Sequence, residues 1–368
     1  MQPNLLRASI AIILENQAPA GSYVACPNFP IYQYCWFRDG AYTAYAMNLV
    51  GEHASARRFH TWCAATILRH AEQALRAIEK ARHHLPLGAD YLHTRYTLEG
   101  EEGRSEGWAN FQLDGFGTWL WAVGEHLHKS GDTLPGDWQQ AGELAAAYLG
   151  ALWSYPCYDC WEERPGMIHP HTLAAIYGGL MAYSHWGGNP AFAQLAQGIR
   201  DFLLNRAVHA GYFVKYLGAE DVDASLLGLA VPYGVVAAED PLMQATVRRI
   251  EQRLRVPRGG VHRYATDTYY GGGEWILLAG WLGWYYAEVG EDARALELLT
   301  WMEAQADSAG QLPEQVPANL IAPSFYRPWV ERWGPIATPL LWSHAKYLIL
   351  YQALKRYRGT GDSTHGER

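Results

Sequence analysis

The sequence predicts an all-α fold, a closed (α/α)6 barrel of six inner and six outer helices. Three observations carry that expectation. Helical spacing of apolar residues recurs from end to end, whereas strand-type alternation is scarce. The helical segments alternate between two kinds, one amphipathic with a charged face and one nearly uncharged. Segments that mix acids, arginine and aromatics stand just ahead of the uncharged ones.

Taken in order, an amphipathic helix at 5–15 is followed by an uncharged one at 39–50. The pairs then continue as 54–81 with 114–125, 138–153 with 171–184, 190–206 with 223–235, 241–255 with 274–289, and 292–306 with 339–354. Several of the amphipathic members follow Gly-Glu, Asn-Pro or Glu-Asp, which suit a helix N-terminus. A helix apolar on every side needs burial on every side, so the uncharged members form the inner ring. A solenoid would repeat at a shorter, steadier period of roughly 34–47 residues; here the unit is longer and its extra length lies in the loops. No low-complexity linker divides the chain. One domain is expected over residues 1–358, with a flexible tail at 359–368.

Composition narrows the function. Apolar residues make up 49% of the 368, enough for a large core, and the formal charge of −8 argues against nucleic acid or an anionic membrane as partner. Trp (16) and Tyr (24) far outnumber Phe (9). Rings that pair an apolar face with a polar handle suit a sugar, although a Trp-filled helical core would leave the same mark. No stretch is apolar for the roughly 18 residues of a membrane span, and no secretion signal opens the chain. Five cysteines are an odd, sparse set, which fits a reducing compartment better than a disulfide framework. A cytoplasmic protein acting on a small sugar is expected, with no cofactor and no metal.

The segments ahead of the inner helices are YQYCWFRDG (32–40), GWANFQLDG (107–115), YDCWEE (158–163), HRYATDTYYGGGEW (262–275), LPEQ (312–315) and PLLWSHA (339–345). The connectivity gathers them at one end of the ring. Singly, each has a plain structural reading: a Glu-Glu pair as solvated surface, an Arg-Asp doublet as a salt bridge, a lone Trp as core. Cys157 and Cys160 have redox or zinc spacing, but no second pair supplies a four-ligand site. The run Gly271-Gly272-Gly273 lacks a nucleotide fingerprint and reads instead as a close approach of backbone to the pocket.

Together these motifs resemble glycoside hydrolase family 15, the glucoamylases, glucodextranases and their short bacterial relatives, over about residues 21–350. The resemblance implies hydrolysis of terminal α-glucose units with inversion. It implies Glu162, first Glu of Tyr-Asp-x-Trp-Glu-Glu, as general acid and Glu314, of Glu-Gln, as general base. Arg38 and Asp39 match the pair that grips the non-reducing glucose, and Tyr32 the tyrosine near the reacting centre. Trp108, Arg263 and Trp342 match further site residues, and Trp36, Trp161 and Glu163 are expected beside them. Inversion requires one protonated and one ionised carboxyl, roughly 6.5–9.5 Å apart with a water between base and sugar. Trp161, Glu163 and Asp159 flank Glu162, and aromatic burial and like charge raise a carboxyl pKa, as an acid needs.

The sequence departs from the fungal members at Thr266-Asp267, where they carry Glu-Asp. One carboxylate is missing there, which turns the expectation from starch towards short oligosaccharides, α-1,6-linked ones such as isomaltose among them. A trehalase or an α-1,4-acting glucoamylase could use the same pair of glutamates. A disaccharide phosphorylase would need no base, and a sugar-binding protein would dispense with one carboxylate.

Overall fold

A computed structural model describes residues 4–103 and 107–361, with side chains to residue 355. In chain order the elements are α1 (Leu5–Glu15), β1 (Cys35–Trp36), α2 (Phe37–Leu49), α3 (His53–Arg69), α4 (Ala71–Arg82), β2 (Arg95–Tyr96), α5 (Asp114–Ser130), α6 (Gly136–Leu152) and α7 (Pro170–Trp186). They continue with α8 (Ala191–Arg206), β3 (Val208–His209), β4 (Tyr212–Phe213), a 3₁₀ turn (Ala224–Leu229), α9 (Pro241–Leu254), β5 (Glu274–Trp275), α10 (Ile276–Glu288), α11 (Asp292–Ala304), β6 (Gln315–Val316), α12 (Tyr326–Trp333) and α13 (Leu341–Gly361).

The ring closes as expected. Helix α2 packs on α5, α5 on α7, α7 on the 3₁₀ turn, that turn on α10, α10 on α13, and α13 back on α2. Around them lie α1, α3 with α4, α6, α8, α9 and α11. The molecule is an (α/α)6 barrel. In α10 every residue from Ile276 to Ala287 is buried, as an inner helix without a polar face requires. Outer helices start on side-chain caps where the sequence supplies them: Asn4 accepts from the Leu6 N–H, and Asp240 from the Leu242 N–H ahead of Pro241.

Glycine sets the closest contact in the ring. A Cβ on Gly117 of α5 would lie 2.3 Å from the Ala175 carbonyl oxygen of α7, and one on Gly179 of α7 would lie 2.4 Å from the Gly117 carbonyl oxygen. The two backbones therefore touch where neither residue has a side chain.

Three departures from the expected elements have local causes. The inner member at 223–235 is a 3₁₀ turn, not an α-helix, because Pro232 offers no N–H and disfavours helical geometry at Val231. The expected helix 54–81 breaks at His70, whose ring bonds the Gly100 carbonyl at 3.0 Å and lies 5.0 Å from the Tyr96 ring. Helix α12 had no counterpart in the alternation of helices. Most of the expected tail, 362–368, lies outside the described residues, and α13 continues to Gly361.

Candidate active site

The loops ahead of the inner helices meet around one cavity of about 320 Å³. Its lining includes all eleven side chains singled out from the sequence: Tyr32, Trp36, Arg38, Asp39, Trp108, Trp161, Glu162, Glu163, Arg263, Glu314 and Trp342. They come from six separate stretches of chain, so only ring closure brings them together.

Two short antiparallel ladders fix the ends of inner helices at this mouth. Trp36 pairs with Arg95 in β1–β2 just before α2, and Trp275 pairs with Gln315 in β5–β6 just before α10. The second ladder places Glu314. Its backbone N–H donates to the Ala337 carbonyl and its carbonyl accepts from Ile276, while the Gln315 side chain accepts from the Gly273 N–H at 2.8 Å. A Cβ on Gly273 would meet the Val316 carbonyl oxygen at 2.4 Å. The glycine run thus lets the backbone approach the segment after Glu314, rather than the cavity as the sequence suggested.

Glu162 sits on a turn in the left-handed region, with φ 67°, costly for a residue with a Cβ. Asp159 holds that turn. Its side chain accepts from the N–H groups of Trp161 and Glu163 at 3.0 and 2.9 Å, and its carbonyl accepts from the Glu162 N–H. The Glu162 carboxylate accepts from Trp36 Nε1 at 2.7 Å and from Gln112 Nε2 at 3.0 Å.

The neighbours expected to press on Glu162 are engaged elsewhere. Glu163 accepts from the Tyr264 hydroxyl at 2.6 Å and from Arg263 at 3.3 Å. Trp161 donates its indole N–H to both oxygens of buried Asp223, and Lys215 pairs with Asp223 at 2.6 Å and Asp159 at 3.6 Å.

Burial falls instead on Glu314, which is 3% exposed. Burial pushes its carboxyl up to about 8, against the pull of Arg263 and of the Tyr32 and Tyr269 hydroxyls. Tyr32 donates to Glu314 Oε1 at 3.1 Å and shares a 2.9 Å hydrogen bond with Tyr269. Glu314 Oε2 accepts no hydrogen bond among the described residues, so a ligand or water must satisfy it.

At the buried end, Arg38 donates to Gln112 at 2.8 Å and to Asp114 at 3.0 Å, and lies 3.5 Å from Asp39. Burial works against its charge, but Asp114 and Asp39 hold it well above the usual arginine range. Burial also raises Asp39 to about 7, with Arg38 opposing and Glu162 and Asp114 adding to the rise. Asp39 Oδ2 and the indole N–H groups of Trp108 and Trp342 lack hydrogen-bond partners among the described residues. The cavity lining thus offers both an acceptor and donors.

Residues the sequence did not single out complete the wall. Tyr269 and Trp275 belong to quoted segments but match no residue role on their own. Trp329, Arg332 and Trp333 come from α12, where only the density of aromatics in YRPWVERW could have signalled them. Gln112 and Asp114 hold other site residues from within GWANFQLDG, a role that spacing does not announce.

Comparison with known proteins places this geometry in context. A family model described as "Glycosyl hydrolases family 15" matches residues 2–319. The isomaltose glucohydrolase of Kribbella flavida is 42% identical over 360 residues, 95% of this chain and 92% of that protein. A trehalase of Thermoplasma acidophilum is 25% identical over 75% of this chain and 51% of its own length. Among solved structures, a glycosidase in complex with glucose superposes with a TM-score of 0.92 at 42% identity, covering 95% of this chain and 96% of that one. A bacterial glucoamylase complexed with acarbose has a TM-score of 0.73 at 20% identity, over 96% of this chain and 55% of that one, and shares the fold.

Proposed function

This chain belongs to glycoside hydrolase family 15 and is a glycoside hydrolase, and from that premise we propose a specific reaction. It removes glucose from the non-reducing end of short α-glucosides with inversion, isomaltose-like α-1,6 linkages being the preferred class. The observation that carries this reading is the placement of Glu162 and Glu314 on one cavity, each on its own partners. Trp36 holds Glu162 and Tyr32 holds Glu314, and these two rings stand edge to face with centroids 5.6 Å apart. Inversion asks for carboxyls roughly 6.5–9.5 Å apart, with a water between base and sugar, and two carboxyls held by separate partners on one cavity are compatible with that.

Glu162 serves as general acid and protonates the leaving oxygen. Glu314 serves as general base; its Oε2 takes a proton from water attacking the opposite face of the sugar. For that role it must be ionised, and the Arg263 charge and the Tyr32 and Tyr269 hydroxyls pull that way against burial. Arg38 and Asp39 grip the hydroxyls of the terminal glucose at the closed end, with Trp342 beside them and Trp108 backing the acid. Such a closed end makes the action exo. The linkage rests on the 42% identity to an isomaltose glucohydrolase.

No described helix is long and apolar enough to cross a membrane. All five cysteines are free and buried, which supports a reducing, cytoplasmic setting. The deciding experiment follows anomers by NMR during hydrolysis of isomaltose, maltose and trehalose. β-Glucose in excess of what the reducing-end sugar contributes is expected from isomaltose. α-Glucose in excess of that share would remove the inverting assignment, and faster turnover of trehalose would move the protein to the trehalases.

A further inference from the structure

Helix α12 lies over the cavity mouth with no buried residue of its own, yet it places Trp329, Arg332 and Trp333 on the cavity wall. It is pinned rather than loosely laid. The Trp329 ring stands 4.9 Å from Tyr269 and stacks at 6.0 Å on Tyr270, and the Tyr270 hydroxyl donates to the Gly334 carbonyl at the helix end. Arg332 carries its guanidinium 5.0 Å from the Trp333 ring. Both Arg332 and Trp333 are left at least partly exposed.

The cavity therefore has two unlike ends. Arg38 and Trp342 are each 3% exposed and close one; the α12 side chains border solvent at the other. A glucoside held by its non-reducing glucose at the closed end must present its leaving group at the open one. We propose that α12 is the platform for that leaving saccharide. The exposed face of Trp333 stacks on its ring, and Arg332 donates to its hydroxyls, while Trp329 holds the platform on Tyr270. At about 320 Å³ the cavity is near the small end of ligand sites, which run from roughly 300 to 1,000 Å³. A cavity of that size suits a short saccharide, and the first sugar beyond the scissile bond is the one that meets α12. This inference rests on the α-glucosidase reading above.

The test compares substrates with and without a leaving sugar. Trp333→Ala and Arg332→Ala are assayed on isomaltose, isomaltotriose and α-glucosyl fluoride, whose leaving group is a single ion. Each variant is expected to lose about tenfold or more in kcat/KM on isomaltose, mainly through KM, with Trp333→Phe recovering part of it. Fluoride release should stay within about twofold, and the loss on isomaltotriose should match that on isomaltose. Equal losses on the fluoride and the disaccharide, or no loss on the disaccharide, would overturn the platform. An unmodified protein that hydrolyses neither substrate would instead remove the α-glucosidase reading on which it rests.

Discussion

Replacing Lys215 by Met should both destabilise the protein and slow its chemistry. The Lys215 side chain is 7% exposed, with its ammonium 2.6 Å from Asp223 and 3.6 Å from Asp159, and 3.4 Å from the Tyr264 ring centroid. At an effective dielectric constant of about 20 these pairs are worth roughly 6 and 5 kcal/mol before desolvation. Desolvation offsets most of that gain, but removing the cation leaves two carboxyls uncompensated, a loss of about 3–5 kcal/mol. Burial alone would raise the Asp223 pKa, yet Lys215 and the Ser225 N–H bring it below the ordinary value. In the parent, Asp223 thus contributes stability above its unfolded pKa of about 4, and that contribution is lost as pH falls through the lower folded value. In the variant burial prevails, the folded pKa rises above the unfolded one, and the penalty grows as pH rises past about 4. The stability gap between parent and variant, read from urea unfolding, should be widest near pH 7 and shrink towards pH 4.5. Because Asp159 also holds the left-handed turn at Glu162, kcat should fall about tenfold or more in the folded variant. A gap that is the same at both pH values, or an unchanged kcat, would refute the reasoning.

Glu162→Gln and Glu314→Gln should each lower kcat on a disaccharide by about 10²–10⁴-fold. Glu314→Gln should also raise Tm at pH 8 but not at pH 4.5, because its folded pKa of about 8 lies above the unfolded one and the charge costs stability over that interval. In the pH profile of kcat/KM, one limb should lie near pH 8, where Glu314 exchanges its proton. Hydrogen bonds donated by bound sugar and water to Oε2 should move the corresponding limb of kcat to lower pH. Tyr269→Phe removes a donor from the Tyr32–Glu314 cluster and should move that limb to higher pH; a shift the other way would mean Tyr269 does not favour the ionised base. Gly117→Ala forces a Cβ to 2.3 Å from the Ala175 carbonyl oxygen and should cost about 1–3 kcal/mol or more, read as a lowered Tm.

The barrel was legible because its two helix types differ in composition: helices with no charged face can only be inner, and order along the chain then dictates the ring. The site was legible as a set because each of its residues stands at the start of an inner helix or ahead of one, where closure must gather them. Sequence did not reveal where the inner ring abandons the α-helix, since Val231-Pro232 lies within an otherwise apolar run and its effect depends on what packs there. It also did not show that Glu314 is the deeply buried carboxyl. Trp161 and Glu163 are adjacent to Glu162 in the chain, but they turn to Asp223, Arg263 and Tyr264, whereas Glu314 is met by Tyr32 and Asp39 from near the start of the chain and by Arg263 and Tyr269. Helix α12 was invisible for a related reason, because its tryptophans gain meaning only from the mouth they cover. Periodicity and composition are local properties, so they determined which helices are buried and which residue types gather at the mouth. Burial, charge and hydrogen bonding at a particular atom depend on partners distant in sequence, so only the tertiary structure decided which carboxyl is shielded, which turn is strained and what stands at the open end of the cavity.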